Sequence, residues 1–273
     1  MDYSIEDICS PHKSLEVSLS LEETKVPYFT SLQIRSSSEI LFTRVYSHYS
    51  VVKDFLKILR IPGLKLELLD IGGIFIDQNH FLNQLIENLE EENLKIHAET
   101  VHFHNTLNGI TEKHLELLRY FDSLYGIEVN TRVSDKVLEE LVKLEQWKKA
   151  KKVTILTMDD CQNAAKIDDF LHFERMHLFG FPKISSEHCW KLIQTFRNPS
   201  HPCGSYFDIS NTDIDIQGVI SLFDVPPKCE ERDSEYVQHI QHFQLEDRMI
   251  LEIRLYEDKI WGRKGTKESL ENF

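Results

Sequence analysis

SDKVLEELVKLEQWKKAKKVTIL, residues 134–156, decides the fold. Val137, Leu138, Leu141, Val142 and Leu144 recur at helical spacing. Ser134 stands before them, where its hydroxyl can accept a backbone N–H that the first turn leaves unpaired. The reading is one helix over 134–149. A strand follows at once over 152–158 (KVTILTM), with Val153 and Ile155 on one face and Lys152 and Thr154 on the other.

Working outward, the same helix-then-strand alternation recurs between Leu64 and Ile209. Strands are expected at 64–71, 94–103, 126–132, 152–158, 174–179 and 204–209, with centres about 22–31 residues apart. Apolar helix faces fill the gaps: Phe81, Leu82, Leu85, Ile86 and Leu89; Leu117, Leu118, Phe121 and Leu124; Ile167, Phe170 and Leu171; Cys189, Leu192, Ile193 and Phe196. Asp77, Thr111 and Ser185 stand where further N-caps belong. Alternating strands and helices imply parallel strands. A doubly wound sheet would demand strands apolar on both faces. Here Ile127 and Val129 alternate with Glu128 and Asn130, and Met176 and Leu178 with Arg175 and His177, so one face is covered and the other wet. The expected fold class is therefore α/β, an irregular leucine-rich-repeat-like solenoid of alternating strands and helices.

The ends read differently. Segments 15–21, 28–34 and 40–46 carry β patterning and are expected to form an antiparallel meander within a β-rich segment 1–50. A helix Val51–Leu59 and a Pro62-Gly63 turn open the array, which runs over 51–223. After a polar loop at 224–236, segments 237–245 and 248–256 read as a hairpin, with a short strand at 259–263. Together, 224–265 would cap the last repeat, and 266–273 reads as a disordered tail.

The 273 residues carry a net charge of −14, which argues against nucleic acid or an anionic membrane as the main partner. No apolar run is long enough to span a bilayer, and the polar N-terminus is not a signal peptide. Five scattered cysteines then read as reduced thiols, and the expected location is cytoplasmic or nuclear.

The chain shows no phosphate-binding glycine loop, no nucleophile elbow and no zinc-protease helix. Gly72-Gly73 reads as a turn. His188, Cys189, His201 and Cys203 are ligand types without ligand spacing, and read as a buried thiol with surface imidazoles. His102 and His104 share one strand face, but a pair without a third donor reads as incidental. Asp159-Asp160 is read as the cap of a helix beginning near Cys161. Trp147 is read as core packing. The reading is thus no enzyme, no cofactor and no metal. The outward strand positions Glu67, Glu99, Glu128, Asn130, Thr154, Arg175, His177, Tyr206 and Asp208 are the candidate protein-binding residues. Tyr206, an aromatic, is the best hot-spot candidate among them. The competing enzymatic reading is a hydrolase with its site at the strand C-terminal ends, uniting Asp159 or Asp160 with His102 or His104.

Three strings carry a resemblance: LKLELLDI at 64–71, LEQWKKAKKVTIL at 144–156 and IDDFLHFERMHL at 167–178. With ILEIRLYEDKIWGRK at 250–264, they resemble the FTH domain, the F-box-associated family expanded in nematodes. The L-E-x-W-K-x-A-K stretch, containing Trp147 and Ala150, is the most specific, and the resemblance spans roughly residues 50–265. It implies protein–protein interaction: an F-box binds the Skp adaptor of a cullin ubiquitin ligase, and the FTH region recruits the target. Residues 1–50 lack the Leu-Pro start and helical spacing of an F-box and look like the strands that follow one. The expectations are a member without its F-box or a truncated start. A stand-alone or decoy binder is then the alternative to a ligase subunit.

Overall fold

The computed structural model describes residues 14–22, 29–36, 39–47, 51–73, 78–104, 109–156, 158, 165–224 and 237–271, with Ile5 and Cys9. It contains strands and helices in alternation, a mixed α/β fold. The chain divides into two compact units, Met1–Ala150 and Lys151–Phe273. The division falls within the array read as 51–223.

In the first unit the strands are β1 (Ser14–Glu22), β2 (Phe29–Ser36), β3 (Glu39–Ser47), β4 (Lys65–Gly73), β5 (Ala98–His104) and β6 (Gly126–Asn130). They lie in the order β3-β2-β1-β4-β5-β6. The expected meander is present: β1 pairs β2 and β2 pairs β3, both antiparallel. From β1 onward, through β4 and β5 to β6, every pairing is parallel, so the meander is joined to the array through β1. Helix α1 (Val51–Leu59) buries Val51, Val52, Phe55, Leu56 and Ile58. The Pro62-Gly63 turn follows, with Leu64 N–H donating to the Ile61 carbonyl at 3.3 Å and Gly63 at φ +75°. That is the conformation for which the third position of a type II turn selects glycine.

Helices α2 (Gln78–Glu91), α3 (Glu112–Leu118), α4 (Asp135–Leu141) and α5 (Glu145–Lys149) bury Phe81, Leu82, Leu85, Ile86 and Leu89, then Leu117 and Leu118, then Val137, Leu138 and Leu141; Phe121 and Leu124 are buried beyond the end of α3, and Val142 is half-buried. The strand residues Val101, Phe103, Ile127 and Val129 are buried with them. His114 of α3 meets Phe103 of β5 edge-on at 5.1 Å, which puts the helix on the apolar side of the strand. At the start of α3, Thr111 N–H donates to His114 Nδ1 at 3.0 Å. Ser134 stands at its N-cap position but makes no side-chain capping bond, and Asp77 lies outside the described residues.

The expected single helix 134–149 is two helices. Leu144 leaves the helix with ψ 142° and starts a second one. The reason is Trp147. At about 100° per residue, nine residues of continuous helix would turn Trp147 about half a turn away from Leu138. With the break, both are buried, and Trp147 is among the largest side chains fully removed from water.

In the second unit the strands are β7 (Lys152–Ile155), β8 (Arg175–Phe179), β9 (Tyr206–Ser210), β10 (His239–Gln244), β11 (Met249–Tyr256) and β12 (Lys259–Thr266). The order is β7-β8-β9-β12-β11-β10. β7, β8 and β9 are parallel, and β12 closes on β9 antiparallel, followed by β11 and β10. The C-terminal strands therefore do pair the last array strand, and the strand that does so is β12. Helix α6 (Ser186–Arg197) packs Phe196 against Phe207 of β9 at 4.8 Å, and Trp190 against Phe243 of β10 at 6.1 Å. Ser185 caps it as expected, with His188 N–H donating to its Oγ at 3.3 Å. A short helix α7 (Ile216–Ser221), which the sequence reading did not include, is capped by Asp215, whose Oδ1 accepts from Gly218 N–H at 2.9 Å.

Two expectations change here. Of Ile167, Phe170 and Leu171, only Ile167 lies in a helical element, the 3-10 turn Ile167–Asp169, with no longer helix among the described residues there. Residues after Thr266, read as a disordered tail, form helix α8 (Lys267–Glu271), anchored by the buried Leu270. No helix among the described residues is long and apolar enough to cross a membrane.

Two measurements test this packing. Trp147→Ala removes a fully buried ring and is expected to lower unfolding stability by about 3–5 kcal/mol in denaturant titration. His114 is fully buried, and burial pushes its imidazole pKa down to about 3. The folded value lies below the unfolded one. Below roughly pH 6.5 the unfolded chain takes up a proton that the native chain refuses, so stability falls as pH drops. By about pH 5 the loss from this group is on the order of 2 kcal/mol. His114→Gln keeps an acceptor for the Thr111 amide and is expected to flatten that slope.

Candidate functional site

The polar face of the strands is where the sequence-nominated residues stand. In the first unit Glu67, Glu99 and Asn130 are exposed and Glu128 is half-buried. In the second, Arg175 is exposed, while Thr154, His177, Tyr206 and Asp208 are half-buried. None belongs to the apolar core.

Strand register decides which of these meet. In the second unit, one row across the strands runs Lys152, Arg175, Tyr206, Arg263, Glu252 and His242. The next runs Thr154, His177, Asp208, Trp261 and Arg254. Arg175, Gly204, Tyr206, Trp261 and Arg263 line a depression of about 430 Å³. The Arg254 guanidinium lies 4.9 Å from the centre of the Trp261 ring. The acids of this face are engaged. Asp208 accepts from Lys259 Nζ at 2.8 Å and from Ser210 Oγ at 2.7 Å. Glu252, nearly buried, pairs with Arg254 at 2.6 Å and His242 at 3.2 Å. Burial works to raise the Glu252 pKa, but the bond from His242 and the charge of Arg254 outweigh it and hold the carboxyl below its usual range. Phe179, 43% exposed, is a large apolar residue left open to solvent on β8 beyond His177. Trp261 and the arginines of β11 and β12 were not among the nominated residues, because only the pairing of β12 with β9 brings them beside Tyr206.

In the first unit register creates a second cluster. Asp70 on β4 stands opposite His102 on β5, and Gly72 opposite His104. His102 Nδ1 lies 3.0 Å, and His104 Nδ1 2.7 Å, from the same oxygen, Asp70 Oδ1. The rings stack with centres 5.1 Å apart. Ser18 Oγ of β1 donates to the other oxygen, Asp70 Oδ2, at 3.0 Å. Burial works to raise the Asp70 pKa, yet the bonds from His102 and His104 win, and the carboxyl is held well below the usual carboxylate range. The hydrogen bond to Asp70 raises the pKa of His104. The pair read as lacking a third donor therefore has one, 32 residues upstream of His102 and invisible before β4 and β5 are paired. Gly72 is part of the arrangement, because a Cβ there would clash with the His104 ring.

The other ligand-type residues do not assemble. Cys189 is buried, and burial pushes its thiol up to about 12. His201 is buried rather than on the surface, with its ring against Phe196 at 4.5 Å, and Cys203 is exposed. Asp159, Asp160 and Cys161 lie outside the described residues.

Gly72→Ala tests the role of the glycine. It is expected to cost about 1–3 kcal/mol of stability, as forced overpacking does. It should also displace the His104 ring from Asp70, read as a lowered His104 pKa in an NMR titration.

The FTH domain family model matches residues 79–227 of this chain. No curated protein and no solved structure gives a match. The matched span contains β5 to β9 and the helices between them, and so part of the polar strand face. The chain belongs to the FTH domain family, an F-box-associated family.

Proposed function

We propose that this protein is a non-enzymatic recognition domain that binds another protein through the polar strand face of its second unit. The anchor is the Arg175–Tyr206–Trp261–Arg263 patch, and its complement is an acidic segment of the partner. The carrying observation is the sign of the charge there. The whole chain stands at −14, yet strand pairing sets Arg175 and Arg263 on either side of Tyr206. Tyr, Trp and Arg are the residue types that dominate binding energy at interfaces, and arginine takes carboxylates in bidentate fashion. Lining a shallow depression, they offer a partner side chain a seat. In this reading the stacked strand–helix units work as a leucine-rich-repeat-like array does, with helices building the core and strands presenting the surface.

Membership in an F-box-associated family supports an interaction role. It favours target recruitment for a cullin ubiquitin ligase through a Skp adaptor, with a stand-alone or decoy binder as the alternative. Glu67, Glu99, Glu128 and Asn130 of the first unit supply further polar contact positions.

The test is affinity capture of the tagged chain from native extract, with quantitative mass spectrometry, for wild type, Arg175→Glu/Arg263→Glu, Tyr206→Ala and the exposed control Lys143→Glu in the turn between α4 and α5. A protein retained by wild type and by the control, but reduced at least tenfold by the patch variants, is the expected result. Retention unchanged by both patch variants would refute the anchor. Co-recovery of the Skp adaptor and cullin assigns the ligase role, and their absence beside a patch-dependent partner assigns the stand-alone one.

A further inference from the structure

We propose that Asp70, His102 and His104 form a binding site for a divalent transition cation of the zinc class, on the strand face of the first unit. Two imidazoles and a carboxylate are a ligand set for zinc, and imidazole nitrogen favours zinc-like ions over magnesium or calcium. The three donor atoms lie within 4.8 Å of one another.

Both Nδ1 atoms converge on the single oxygen Oδ1, at 3.0 and 2.7 Å. Ligand atoms around a tetrahedral ion with bonds of about 2.0–2.1 Å sit about 3.3–3.4 Å apart. The two nitrogen–oxygen distances therefore need to open by about 0.3–0.7 Å, and the three donors, now within 4.8 Å of one another, to settle at that common spacing through side-chain torsions. In neutral imidazoles the ring proton moves to Nε2, leaving the Nδ1 lone pair for the ion.

The surroundings support the arrangement. Alternate positions of one strand put His102 and His104 on the same face, and the neighbouring strand delivers Asp70 in register. Gly72 leaves the space the His104 ring occupies. Ser18 holds Oδ2, an outer hydrogen bond of the kind that orients a ligating carboxylate. The three side chains are 20–24% exposed, so an ion can reach them from solvent. Water, or a side chain of a bound partner, completes the coordination. Glu128 and Asn130 stand next to His102 and His104 on β6.

The test uses the full chain, stripped of metal by chelator dialysis and titrated with Zn²⁺ by calorimetry and with Co²⁺ by visible absorption. The expected result is one equivalent bound, a Co²⁺ spectrum without a thiolate charge-transfer band, and an upward shift of wild-type Tm with added Zn²⁺. Asp70→Asn, His102→Gln and His104→Gln should each weaken binding at least tenfold, while His188→Gln leaves it unchanged. The wild-type spectrum and Tm shift do not depend on any variant folding. Absence of stoichiometric binding by wild type overturns the proposal, and so does binding that persists in all three variants.

Discussion

One-sided burial is the constraint on which the rest of this structure depends. Each parallel strand from β4 to β9 places one set of side chains in the core against helices and leaves an outward set that is polar apart from residues such as Leu68 and Phe179. A pleat allows this because its side-chain period is two, and a slip of one residue would exchange core for surface along a whole strand. Val101 and Phe103, Ile127 and Val129, Val153 and Ile155, Met176 and Leu178, and Phe207 and Ile209 are buried in pairs for that reason. The helices bend to the same demand. The break at Leu144 sacrifices helix continuity so that Trp147 joins the core.

With register held by the buried side, the polar side becomes an ordered surface. In the second unit it aligns Arg175, Tyr206 and Arg263 in one row and Asp208 and Trp261 in the next. In the first it sets Asp70 against His102. Neither cluster arises from local sequence. Both arise because residues 30 or more apart are placed about 5 Å from each other by strand pairing. The apolar core thus determines the chemistry of a face to which it contributes no side chain.

The strand face was legible as polar and outward because alternation is written into every strand. Its energetic centre was less so. Tyr206 stood out as an aromatic at an outward position, but Trp261 and Arg263 belong to a strand whose neighbour is β9, and pairing partners leave no mark on composition. His102 and His104 were readable as two donors on one face. Asp70 was just another acid in an acidic chain until β4 lay beside β5. The ends show the same limit. The turn at Gly63 and the cap at Ser185 are local chemistry and follow from local residues, whereas the helix after Thr266 owes its order to the burial of Leu270.

By itself the sequence determined the alternation of strands and helices, the covered and uncovered sides of each strand, and the resemblance to the FTH family. Those depend on periodicity and on short strings of residues. The tertiary structure alone decided which strands are neighbours, where the helix before β7 breaks, that the C-terminal strands reach the array through β12, and that Asp70 joins two histidines at a single oxygen. The physical reason is that strand pairing and core packing join residues far apart in the chain, and their selection depends on the whole buried volume rather than on any segment of it.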